Sequence, residues 1–187
     1  MESKLIGNIE NKNENRKWYA IQVLGGKEES TANLCQALLN QESEELFVPR
    51  YVRKKKFNGQ WQEVQGILFP GYLFVITDRV ADLFFRLKAI QSLTKILRAD
   101  DAFIPLQPEE ISFLQHFGRE EHLVEMSTGH KEGDHITITD GPLADFEGKI
   151  LKIDRHKRIA IIEVDFFSRV TQVKVGLEVI DSAPPTS

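Results

Sequence analysis

Phe69-Pro70-Gly71-Tyr72-Leu73-Phe74-Val75-Ile76 decides the fold. It opens on a bend and continues as a nearly unbroken apolar run, which as a strand requires cover on both faces. Residues 50–68 immediately before it carry Arg50, Arg53, Lys54, Lys55 and Lys56, then Asn58-Gly59, then Trp61 and Val64. Asn-Gly tolerates the positive φ angles of a two-residue hairpin, so this segment reads as a basic, aromatic β-arm leading into a buried strand.

Working outward, residues 17–24 form a strand rich in aromatic and branched side chains that ends at Gly25-Gly26. Residues 27–40 place Thr31, Leu34, Cys35, Leu38 and Leu39 at helical spacing, and 45–48 return to a strand pattern. After the central run, residues 78–89 give a helix with Val80, Leu83, Phe84 and Leu87 on one face, and 90–98 a further strand. Gln107-Pro108-Glu109-Glu110 starts a helix that Gly118 closes, with proline in its first turn and acids over the positive end of its dipole. This order predicts an α+β sandwich over residues 17–118, with an antiparallel sheet covered by helices.

Residues 119–131 lack periodicity and read as a linker, and residues 132–182 change texture to short β-rich runs. Strands are expected at 135–139, 148–153, 159–166, 170–175 and 178–180, with turns near Gly141, His156 and Gly176, which suits a small five-stranded barrel. The polar lead-in, residues 1–16, has no apolar core of a signal peptide, and residues 183–187 read as a frayed tail. No stretch approaches the roughly 20 apolar residues of a membrane span. With a single cysteine, Cys35, neither an internal disulfide nor a multi-thiolate metal site can form, which fits a reducing cytoplasm.

Catalytic chemistry is not legible. There is no phosphate-cradling glycine loop, the five histidines show no metal-ligand spacing, and Glu109-Glu110 and Glu120-Glu121 fit a helix start and a solvated linker. The reading is therefore of a monomer that is not an enzyme and holds no metal or cofactor. A net charge of −4 excludes indiscriminate coating of nucleic acid, so any such contact must be local. Two local basic clusters exist: Lys54, Lys55 and Lys56 on the arm, and Lys149, Lys152, Arg155, His156, Lys157 and Arg158 around one expected barrel turn. Together they point to RNA. Among the aromatics around the central strand, some are core, and an apolar face left open would dock a protein.

Lys17-Trp18-Tyr19, the Gly25-Gly26-Lys27-Glu28 turn, Val48-Pro49 and Leu68-Phe69-Pro70-Gly71-Tyr72, followed by a KOW-like segment from Ile138 to Gly148, make the chain resemble the NusG family of transcription factors. Ile153 to Ala160 and the short arm look most like the LoaP branch. The resemblance implies an amino-terminal domain that binds the clamp of RNA polymerase through Tyr19, Phe69, Pro70, Tyr72 and Phe74, and a KOW barrel whose basic turn reads an RNA hairpin in the nascent leader. It implies antitermination as the activity. The alternative is a housekeeping elongation factor whose barrel engages a termination factor or the ribosome through Phe146, Phe166, Phe167 and Arg169. Residues 85–90 lack the threonine-rich loop of RfaH-like paralogues, so a barrel that refolds into helices is not expected.

Overall fold

A computed structural model describes residues 15–90, 94–99 and 101–181, so most of the expected lead-in and the whole of the tail lie outside the described residues. In chain order the elements are β1 (Lys17–Val23), α1 (Glu28–Gln36), β2 (Glu45–Phe47), β3 (Arg50–Phe57), β4 (Gln60–Ile67), β5 (Tyr72–Thr77), α2 (Val80–Leu87), β6 (Thr94–Ile96), β7 (Arg98–Ala99) and β8 (Ala102–Phe103). They continue with α3 (Pro108–Gly118), β9 (Leu123–Val124), β10 (Ser127–Glu132), β11 (His135–Asp140), a 3-10 helix (Pro142–Lys149), β12 (Ile150–Asp154), β13 (Ile159–Phe166) and β14 (Arg169–Asp181). Two compact units result, residues 1–48 with 70–108, and 49–69 with 109–187.

In the first unit the sheet order is β2-β5-β1-β6, antiparallel throughout. The central apolar run becomes β5, paired on both sides, and Leu73, Phe74, Val75, Ile76 and Thr77 are all buried. Each large side chain so buried contributes about 1.5–3 kcal/mol. Two of the sequence signatures meet here. Gly71, at φ +85°, donates its N–H to the Glu28 carboxylate at 2.7 Å, and its carbonyl accepts the Val23 N–H at 2.8 Å. Burial pushes the Glu28 carboxyl up, but the backbone N–H groups of Glu28, Gly71 and Gly26 outweigh it and hold the group below its usual range.

Helix α1 stops at Gln36, short of the expected residue 40. The following backbone is claimed elsewhere: the Leu38 carbonyl accepts from Arg86, and the Asn40 N–H donates to Glu44. Arg86 also forks onto the buried Glu44 carboxylate at 2.9 and 2.5 Å. Leu34, expected on the apolar face, is exposed, whereas Cys35 is fully buried. The strand expected at 90–98 is described only from Thr94, as β6 and β7.

The second unit contains a five-stranded sheet of order β11-β10-β14-β13-β12 and a three-stranded sheet of order β4-β3-β9. Ala160, Ile162, Val164 and Phe166 of β13 alternate inward and pair in register with Val175, Val173, Thr171 and Arg169 of β14. Three sequence expectations change. Residues 119–131 are not structureless, because β9 pairs in parallel with β3 and β10 pairs in parallel with β14. The 3-10 helix takes residues that were expected to start a strand at 148. Gly176 does not separate two strands but lies inside β14, where a Cβ would sit 2.1 Å from the Val52 carbonyl oxygen. Glycine is needed there for close approach of β3 rather than for a turn.

The arm and α3, expected with the first domain, pack within this second unit. The reason is aromatic as well as hydrogen-bonded: Phe69, Phe113, Phe117, Phe146, Phe166 and Phe167 form one cluster, with Phe69 and Phe166 ring centroids 4.5 Å apart. The Glu110 carboxylate of α3 accepts the Phe167 N–H at 2.5 Å.

Candidate nucleic-acid interface

Both basic clusters belong to the second unit, and the fold joins most of their members. The arm is a regular antiparallel pair closed by Asn58 and Gly59, both at positive φ, as the turn chemistry requires. Alternation then sends Val52, Lys54, Lys56, Trp61 and Glu63 to one side and Tyr51, Arg53, Lys55, Phe57 and Val64 to the other. The Val52 backbone passes close to Gly176, and on the first side Lys54 reaches Glu178 of β14.

The turn between β12 and β13 supplies the other half. Arg158, at φ +52°, donates from its guanidinium to Glu178 at 2.5 Å and lies 3.9 Å from the centre of the Trp61 ring. One carboxylate thus receives a lysine from the arm and an arginine from the barrel. At the same end Arg155 donates to Asp181 at 2.7 Å, and Lys157 approaches Asp154 at 3.6 Å. The Lys157 backbone N–H also donates to Asp154, and chiefly through that bond holds its carboxyl below the usual range. Lys55 lies over Phe57 at 5.1 Å. Lys56 and His156 carry no ion pair among the described residues and are exposed.

Lys149 does not join this surface. It sits at the opposite end of β12, about 20 Å from Arg155 at strand rise, where it lines a hollow of about 200 Å³ with Leu151, Glu163 and Asp165. Lys152 lies between the two ends. Its strand register runs Lys152, Ile161, Lys174 across β12, β13 and β14, which adds the exposed Lys174, a residue that the sequence reading missed. Nothing in the sequence places residue 174 beside 152, because the relation exists only through strand pairing.

The expected apolar docking residues fare differently. Phe74 is wholly buried and stacks on Phe47, Tyr19 is buried with its hydroxyl pKa raised by that burial, and Phe69 is held in the aromatic cluster of the second unit. In the first unit Pro70 is exposed and Tyr72 half-buried. Leu24, missed in the sequence reading and 61% exposed, continues β1 past Val23 toward the Pro70–Gly71 bend. Among the described residues no group of His, Cys, Asp and Glu side chains could hold a metal ion, and no helix is long and apolar enough to cross a membrane.

A family model described as transcription termination factor nusG matches residues 16–115, and a KOW motif model matches residues 132–165. The chain is 26% identical over 182 residues to the transcription termination/antitermination protein NusG of Thermus thermophilus, covering 89% of this chain and 98% of that one. It is 27% identical over 176 residues to the like-named protein of Halalkalibacterium halodurans, covering 89% and 98%. A solved structure described as "Domain interaction in Thermotoga maritima NusG" shares the fold, with a TM-score of 0.53 and 18% identity over 86% of this chain and 93% of that chain.

Proposed function

Because the chain belongs to the NusG family of transcription termination/antitermination factors, we propose that it is a specialised antiterminator of the LoaP kind, acting in the cytoplasm as a monomer. It binds RNA polymerase through its first unit and an RNA hairpin of the nascent leader through the basic end of its second. The observation that carries the RNA half is the convergence of Lys54 and Arg158 on Glu178, with Lys55, Lys56, Arg155 and Lys157 around them. In an acidic chain such a concentration of cations supplies the local field that phosphate binding requires.

Polymerase contact falls to Pro70 and Tyr72, with Leu24 beside them, since Tyr19 and Phe74 serve the core of the first unit and Phe69 that of the second. Holding polymerase and RNA on one chain raises the effective concentration of each for the other, so modest separate affinities suffice. The housekeeping reading, with a termination factor or the ribosome gripping Phe146, Phe166, Phe167 and Arg169, receives less support: Arg169 is exposed, but Phe166 is fully buried and the half-buried Phe146 and Phe167 are engaged in the same cluster.

The test is filter binding of a pool of RNA stem-loops to the Arg155→Glu, Lys157→Glu variant, beside its comigration with stalled transcription complexes. Retention should fall by about tenfold or more, with comigration intact. Arg155→Gln with Lys157→Gln repeats the measurement without placing an acid beside Asp181 or Asp154. Unchanged RNA retention in both variants would refute the RNA assignment, and failure of the wild-type chain to comigrate would refute the polymerase assignment.

A further inference from the structure

Trp61 sits near the end of the arm, in a strand whose neighbours are Gln60, Gln62 and Glu63, and 39% of it is exposed. On this largely water-facing arm the indole is packed by cations and leaves part of its ring to solvent. Its cross-strand partner is Lys56, and the Arg158 guanidinium covers part of the ring at 3.9 Å. On the other side of the same arm Phe57 is 40% exposed beneath Lys55. Each face of the tip thus offers an accessible ring bordered by a cation.

We propose that this tip is a stacking site for an unpaired nucleobase of RNA, with Trp61 as the platform and Lys56 and Arg158 placed for the flanking phosphates. The inference rests on the RNA reading above and deepens it by naming the part of the RNA that is gripped: a loop, bulge or single-stranded flank rather than the paired stem. Cations alone serve a duplex as well as a single strand, because both present phosphates. Exposed rings discriminate, because a paired base keeps its faces inside the stack, whereas an unpaired one offers them to an indole or to a guanidinium plane. The charge of the border argues against a peptide partner held by apolar contact, since Lys54, Lys55, Lys56 and Arg158 surround the rings.

The experiment uses the full chain carrying Trp18→Phe, which leaves Trp61 as the sole tryptophan and, with excitation beyond the tyrosine band, the reporting group, and three probes: octauridine, octathymidine deoxyribonucleotide and a blunt-ended RNA duplex. Octauridine should quench Trp61 emission, and in the otherwise wild-type chain Trp61→Ala should weaken octauridine binding by about tenfold or more. Trp61→Phe should keep most of the affinity, which shows that a ring is needed and that the arm is folded. Duplex affinity should change less than twofold in either variant. Equal octauridine binding by Trp61→Ala and wild type, with RNA still bound, overturns the stacking site alone. Binding of octathymidine without octauridine also overturns it, and binding of neither RNA by the wild-type chain overturns it together with the RNA reading beneath it.

Discussion

Glu44 in the first unit and Glu178 in the second each hold an arginine, with opposite consequences. Glu44 is buried, takes a forked pair from Arg86 and accepts further bonds from the Asn40 N–H and the Thr77 hydroxyl. Burial pushes its carboxyl up, but Arg86 and these bonds overcome the effect and hold it below its usual range. Glu178 is half-buried at the edge of a cationic surface and shared between Lys54 and Arg158. A carboxylate as buried as Glu44 cannot lose its partner without being stranded, whereas at the half-buried Glu178 water can take the place of either partner. The same pairing therefore fixes architecture in one unit and, in the RNA reading proposed above, holds cations ready for another anion in the other.

The largest expected effect is at the buried Glu44 carboxylate. Arg86→Ala should destabilise the chain by about 3–5 kcal/mol, read as a lowered midpoint in urea unfolding, because Glu44 would be left buried without its partner. A cost under about 1 kcal/mol would break the contrast with Glu178. Glu28→Gln comes next, at about 1.5–3 kcal/mol, through loss of a charged acceptor for the Gly71 N–H. The sign of its pH dependence follows from the depressed pKa. The stabilisation is fully present above the unfolded value near 4.3 and lost as pH falls through the lower folded value. Unfolding midpoints of wild type and Glu28→Gln should therefore converge in strong acid, and parallel curves would refute the assignment. The smallest effect is at Glu178→Gln, which should change stability by less than about 1 kcal/mol while strengthening RNA retention and steepening its salt dependence. Weaker retention would mean that Glu178 positions the cations rather than competing for them.

Much of the first unit was legible because its signals are local. An apolar run opened by Pro70-Gly71 reads as a covered strand, and β5 is paired along both edges and buried on both faces from Leu73 to Thr77. Local signals were legible in the second unit too, where Asn58-Gly59 specified its own turn geometry. Glu28 was visible as part of a signature, but its role was not, because its partner Gly71 lies 43 positions away. The second unit was harder to read for the same reason. Gly176 looks like a turn in any window of sequence, and only the passage of β3 over β14 explains it. The basic side chains were all visible, yet Lys149 faces a different end of the sheet from Arg155, and Lys174 joins Lys152 only through strand register. The aromatic list mixed core with surface: Tyr72 and Phe74 share one face of β5, but Phe74 is paired between β1 and β2, whereas Tyr72 opens the strand and is paired with β1 beyond the reach of β2.

Taken alone, the sequence determined most of the strands and helices, that one half is an α/β layer and the other β-rich, and that cations and rings concentrate on a hairpin arm. Those properties follow from periodicity, turn chemistry and composition, which act over a few residues. Which charges meet, which rings are hidden and which stand at the tip of the arm was decided by tertiary structure. Distances across a sheet are set by register and alternation, and a shift of one residue would turn Trp61 and Lys54 away from Arg158 and Glu178.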